Sequence, residues 1–106
     1  LFFEWFPELL IGLKEDVSAG FEYLENLGYS HFAIFTNQGD FYCKISSPDR
    51  LFLRSLASVT LNNQALPYFD IFASTSPEIC NELVELAMSL AGMERPSLPK
   101  ESLLPI

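Results

Sequence analysis

Glu4 is the residue of this chain best placed to do chemistry. It lies in Leu1-Phe2-Phe3-Glu4-Trp5-Phe6-Pro7-Glu8-Leu9-Leu10, a strand-like apolar run that holds one acid and then meets a proline. On a strand, Glu4 shares a face with Phe2 and Phe6, so it is an acid within an apolar surface. Burial without a partner raises a carboxyl pKa, which suits a general base near neutral pH. The alternative is a structural carboxylate that caps backbone amides of a neighbouring loop. Trp5, Pro7 and Glu8 leave the same strand and are the candidate substrate-binding residues. An aromatic there can wall an acceptor pocket, and it can equally cover the sheet.

The other reactive side chains point elsewhere. Asp70 stands inside Tyr68-Phe69-Asp70-Ile71-Phe72-Ala73. A strand-interior acid pairs with a neighbour, for which Lys44, Arg50 and Arg54 are conceivable. His31, the only histidine, starts a strand away from the expected cleft and has no co-ligands, so no metal site is expected. Ser55, Ser58 and Thr60 have no nearby His–Asp arrangement, which leaves nucleophilic hydrolysis without support. Cys43 and Cys80 have neither metal-type spacing nor a CxxC arrangement. They read as free structural thiols in a reducing compartment, and the protein as cytoplasmic. The net charge of −8 argues against a nucleic-acid partner. No apolar run approaches the ~18–20 residues that a membrane-spanning helix needs.

These residues must be held by a core, and the composition supports one. The chain has 106 residues, 49% of them hydrophobic, with ten phenylalanines. That excludes a disordered chain and allows one domain. The patterns predict strands at 1–6, 31–36, 41–45 and 68–73, with helices at 16–27, 48–59 and 77–91. In the first helix Asp16 is the cap, Val17, Phe21, Leu24 and Leu27 make the apolar face, and Gly28 ends it. In the second, Ser47-Pro48 opens a face of Phe52, Leu53, Leu56 and Val59. In the third, Ile79, Leu83, Leu86 and Leu90 form the face and Gly92 stops it. Glu8–Leu13 reads as a loop or loose turn of helix. Residues 94–106 contain Pro96, Pro99 and Pro105 and read as an extended tail or linker.

The first strand is apolar enough to expect cover on both faces and neighbours on both sides. The chain thus reads as the second half of a larger α/β protein. The second strand, Phe32-Ala33-Ile34-Phe35, reads as central. The third alternates, with Phe41, Cys43 and Ile45 on one side and Tyr42 and Lys44 on the other, as an edge strand does. Asn37-Gln38-Gly39-Asp40 joins them as a hairpin. The fourth strand then fits between the first two, antiparallel to both. The expected order across a mixed sheet is first, fourth, second, third.

Three stretches carry a family resemblance. Phe3-Glu4-Trp5-Phe6-Pro7-Glu8-Leu9-Leu10 resembles the E-x-x-P-x-L-L stretch of FkbM-type methyltransferases. Asn26-Leu27-Gly28-Tyr29-Ser30-His31-Phe32 resembles the L-G-Y-x-x-F that opens a late strand of that family. Tyr68-Phe69-Asp70-Ile71-Phe72-Ala73 resembles its closing Y-x-D-I-x-A strand. Together they span Leu1–Ala73, about two thirds of the chain. The resemblance implies the C-terminal half of a doubly wound, Rossmann-like class I fold that uses S-adenosylmethionine. Such a sheet ends with an antiparallel strand between two parallel ones. The implied reaction is O-methylation of a sugar or other small-molecule acceptor, with an acid at the position of Glu4. The cofactor-binding half is then missing from this chain. Its five glycines, Gly12, Gly20, Gly28, Gly39 and Gly92, are single and form no glycine-rich turn. The chain alone is expected to bind no S-adenosylmethionine and to partner the missing N-terminal half. The rival expectation is a non-catalytic α/β interaction module.

Overall fold

The computed structural model describes residues 1–93. Its elements are β1 (Phe2–Trp5), α1 (Pro7–Gly12), α2 (Ala19–Asn26), β2 (His31–Thr36), β3 (Phe41–Ser46), α3 (Arg50–Thr60), β4 (Phe69–Ser74) and α4 (Pro77–Met93). The tail expected at 94–106 lies outside the described residues. The four strands form one α/β sheet in the order β1-β4-β2-β3, as the edge chemistry predicts. β4 is antiparallel to both β1 and β2, so those two run the same way without touching. β2 and β3 form the antiparallel hairpin. The sheet is therefore antiparallel at every pairing rather than mixed. The reason is that β4 fills the slot in which β1 and β2 would have paired in parallel.

One face of the sheet carries the main core. Trp5, Phe32, Ile34, Phe69, Ile71 and Ala73 are buried there against Val17, Phe21, Leu53, Leu56 and Ala57. Aromatic rings knit this layer: Phe21 lies edge-on to Trp5 at 5.1 Å and tilted to Phe32 at the same distance. On the other face Ala33 and Phe35 pack under Cys80 and Val84 of α4, flanked by Phe41, Phe72, Leu83 and Ala87. β1 was expected to be covered on both faces, and it is not. Trp5 is buried and Phe3 half-buried, but Phe2 and Glu4 are exposed, because α4 packs over β2, β3 and β4 and leaves β1 bare.

Local chemistry sets the element ends, with several corrections. Pro7 ends β1 and also opens α1, a helix of six residues where a loop or loose turn was expected. α2 starts at Ala19 rather than Asp16. Asp16 Oδ1 instead accepts from the backbone N–H and the hydroxyl of Ser18, fixing the turn ahead of the helix. Gly28 does end α2, at a φ of +99°, with Tyr29 N–H donating to Leu24 O. α3 is capped by Asp49, whose carboxylate accepts from Leu51 N–H, and not by Ser47. Its buried stripe is Leu53, Leu56, Ala57 and Thr60, turned away from Phe52 and Val59. α4 is turned likewise: Cys80 and Val84 are buried while Ile79, Leu86 and Leu90 are exposed. It runs on to Met93, so Gly92 does not stop it. The hairpin turns at Gly39, φ +89°. The β2–β3 register shifts between Ile34 and Phe35. This bulge moves Phe41 to the α4 face, away from Cys43 and Ile45. Among the described residues no helix is long and apolar enough to cross a membrane.

Candidate functional site

The face that α4 leaves uncovered contains a groove of about 430 Å³. Its floor follows from register. Glu4 of β1 is the cross-strand partner of Asp70 of β4, and Asp70 is the partner of Phe35 of β2. Side chains so paired stand ~4.5–5.5 Å apart at Cβ and share one face. Leu83 and Ala87 of α4 line the groove from above, Phe2 lines it on β1, and Gly39 of the hairpin turn lies at one end. Phe2 also stacks, tilted, on Phe72 at 4.7 Å. The groove runs along β1 from Phe2 to Glu4 and reaches Phe35, near the end of β2 that leads into the hairpin turn.

Two carboxylates directly opposite one another repel. The three cations considered for Asp70 do not relieve this: two have other partners, and Arg54 lines a separate hollow with Asp16. Lys44 donates to Asn81, and Arg50 forms a two-point ion pair with Glu22, Nε to Oε1 at 2.5 Å and Nη2 to Oε2 at 3.2 Å. Among the described residues no ion pair reaches Glu4 or Asp70. Chemically, the floor offers two acceptor-only groups beside apolar walls. It can accept hydrogen bonds from hydroxyl or amine groups. The burial from which the role of Glu4 was first argued is absent.

The other three candidate residues do not join Glu4. Trp5 points to the opposite face, where its indole N–H donates to Val17 O at 3.0 Å and its ring packs on Phe21 and Phe69. It ties β1 to the turn before α2. Pro7 is buried at the first turn of α1. Glu8 is exposed, beside Asn62, Asn63, Gln64 and Pro67. Phe6 stacks on Tyr68 at 4.4 Å, closing the loop behind β1.

His31 lies at the far end of the sheet, Nδ1 3.2 Å from Ser46 Oγ. Among the described residues no three His, Cys, Asp or Glu side chains are grouped to hold a metal ion. Both cysteines are free thiols. Burial pushes the pKa of each up, with Lys44 opposing it at Cys80. Neither is poised as a nucleophile. Sequence reasoning named Asp70 but not its place beside Glu4, and it passed over Phe35. The missing signal was register: the strand order alone does not say which residues stand opposite. Compared with known proteins, the chain matches no family model, no curated protein and no solved structure.

Proposed function

We propose that this chain is the C-terminal portion of an S-adenosylmethionine-dependent methyltransferase acting on a hydroxyl oxygen of a sugar or other small metabolite. The observation that carries the reading is β4, inserted antiparallel between two strands of like direction. The resemblance implies that ending for a class I sheet. With every local pairing antiparallel, the parallel part of such a sheet lies, on this reading, in an N-terminal portion that pairs with the outer margin of β1. The cofactor supplies the methyl group in this chemistry, and the residues of this chain do not fit it. Gly12, Gly20, Gly28 and Gly39 lie in four separate elements and turns, and none forms a phosphate or ribose cradle. The contribution of this chain is on the acceptor side. Phe2 and Phe35 give apolar walls, Asp70 accepts a hydrogen bond that orients the acceptor, and Glu4 takes the proton of the reacting hydroxyl.

Calorimetric titration tests the reading. The 106-residue chain is expected to show no heat with S-adenosylmethionine, and a longer polypeptide that includes the preceding residues is expected to bind it at micromolar concentration. Binding by the short chain, or silence from the long one, overturns it. The rival reading, a non-catalytic interaction module, is favoured by one observation: the margin of β1 that no strand among the described residues covers.

A further inference from the structure

β1 has β4 on one side and, among the described residues, no strand on the other. A cavity of about 300 Å³ runs along it, lined by Phe3 and Trp5 of β1 and by Gly20 and Phe21 of α2. No residue of β4 lines this cavity. It therefore flanks β1 on the side away from the sheet, under the first turn of α2. We propose that this margin takes up one further strand: an extended apolar segment flanked by lysine or arginine, which pairs with the β1 backbone and drops a large side chain into the notch.

Three features select that partner. The outward N–H and C=O groups of β1 form a directional row that another extended backbone satisfies. The notch rests on buried aromatic rings, so the inserted side chain is apolar. Gly20 supplies the clearance. Glycine is a poor helix former, and nothing inside the chain requires it there, since a Cβ added at Gly20 meets no atom within 4 Å. Charge then chooses between partners. Glu4, Glu15 and Asp16 all line the notch, and the chain carries −8 overall. A second copy brings the same acids against them, whereas basic flanks answer them. The inference deepens the methyltransferase reading by naming the chemistry of the strand beside β1. It rests on that reading only for the strand's origin in the same polypeptide.

Trp5 lines the notch and is the only tryptophan, so its fluorescence reports occupancy. The probes are the acetylated, amidated heptapeptides KVTLTVK and EVTLTVE, titrated into the full chain. KVTLTVK is expected to shift Trp5 emission and to bind about tenfold or more tighter than EVTLTVE. Gly20→Leu fills the notch; it is expected to weaken KVTLTVK by about tenfold or more while the melting temperature holds or rises. Equal binding by Gly20→Leu, equal binding of the two peptides, or no binding overturns the proposal. So does self-association in sedimentation that Gly20→Leu abolishes, which assigns the margin to a second copy. Peptide uptake by a chain whose longer form ignores S-adenosylmethionine keeps this inference and removes the methyltransferase reading. The converse result does the reverse.

Discussion

The two faces of the sheet are built to different standards. The α2/α3 face is sealed: eleven buried residues from strands and helices interlock there, with Phe21 in ring contact with Phe3, Trp5 and Phe32. The α4 face has one helix where the other has two, and that helix packs mainly over β2, β3 and β4. Phe2 is left 64% exposed, and two acids face each other on an open floor. Interlocking rings and a closed layer give the first face its stability, because close-packed interiors feel every lost methylene. The second face is less sealed, and on the proposed reading that openness gives access. Bare apolar surface and like charges in register are costs that a binding surface carries and a core does not.

The largest expected effect tests that contrast directly. Phe21 is fully buried on the sealed face, so Phe21→Ala should cost about 3–5 kcal/mol, the usual range for emptying an aromatic core site. Val84 is the corresponding apolar contact on the open face. Val84→Ala removes two methyl groups from a thinner layer and should cost about 1–2 kcal/mol. Urea unfolding of both variants measures the gap. Equal losses would mean that the two faces are equally consolidated and that the groove is an incidental hollow.

How far the sequence could be read follows from the same contrast. Strand order was legible where a strand declares its place by its own chemistry: Lys44 and Tyr42 mark β3 as a margin, and Phe32–Phe35 marks β2 as central, whereas β1, read from its apolar run as mid-sheet, is a margin among the described residues. Gly28 and Gly39 were legible because positive φ leaves glycine the easiest choice. Helix faces were less so. α3 and α4 each carry two overlapping apolar stripes, and the one facing the sheet is the one with small residues, Ala57 in α3 and Cys80 and Ala87 in α4. Hydropathy ranks Phe52 and Ile79 above these, but close approach of helix to sheet rewards the smaller side chain. The bulge that moves Phe41 left no mark in the alternation, and register, which brings Glu4 to Asp70, is a property of two strands together.

A smaller effect sharpens the account of the groove. Glu4→Gln keeps the shape and removes one of two facing charges. Because both are solvent-accessible, relief of repulsion should raise stability by only about 0.2–0.5 kcal/mol. In the longer polypeptide the same change should lower turnover by roughly 10²–10⁴-fold, the range for losing a positioned acid–base group. A loss of stability instead would give Glu4 the capping role weighed against catalysis at the outset. Unchanged stability with unchanged turnover would leave the groove floor without a function for Glu4.

The smallest effect concerns acid. Glu22 sits below its ordinary value of 4.5, chiefly through its bond to the Arg50 guanidinium. Asp16 sits below 3.8, held by the backbone and hydroxyl of Ser18. Both belong to the α2 side. On the α4 side Glu78 is lowered from 4.5 by its own backbone amide and then by the Ser76 hydroxyl. In each case the folded state binds its proton more weakly than the unfolded chain. The stabilisation is therefore complete above the ordinary value and is lost as pH falls through the lowered one. Melting temperature should hold near neutrality and decline as pH falls below about 4.5 and through the lowered values of these three groups. Arg50→Gln should flatten the share of that decline due to Glu22, and added salt should do the same, since the Glu22–Arg50 pair is exposed and screened. The part due to Glu78 should largely persist, because its own backbone amide and the Ser76 hydroxyl are its main causes, whereas Asp16, which also feels the Arg50 charge, should lose a minor share. If Arg50→Gln leaves the whole profile as it was, the α2 side owes nothing to that ion pair, and the contrast between the faces reduces to packing alone.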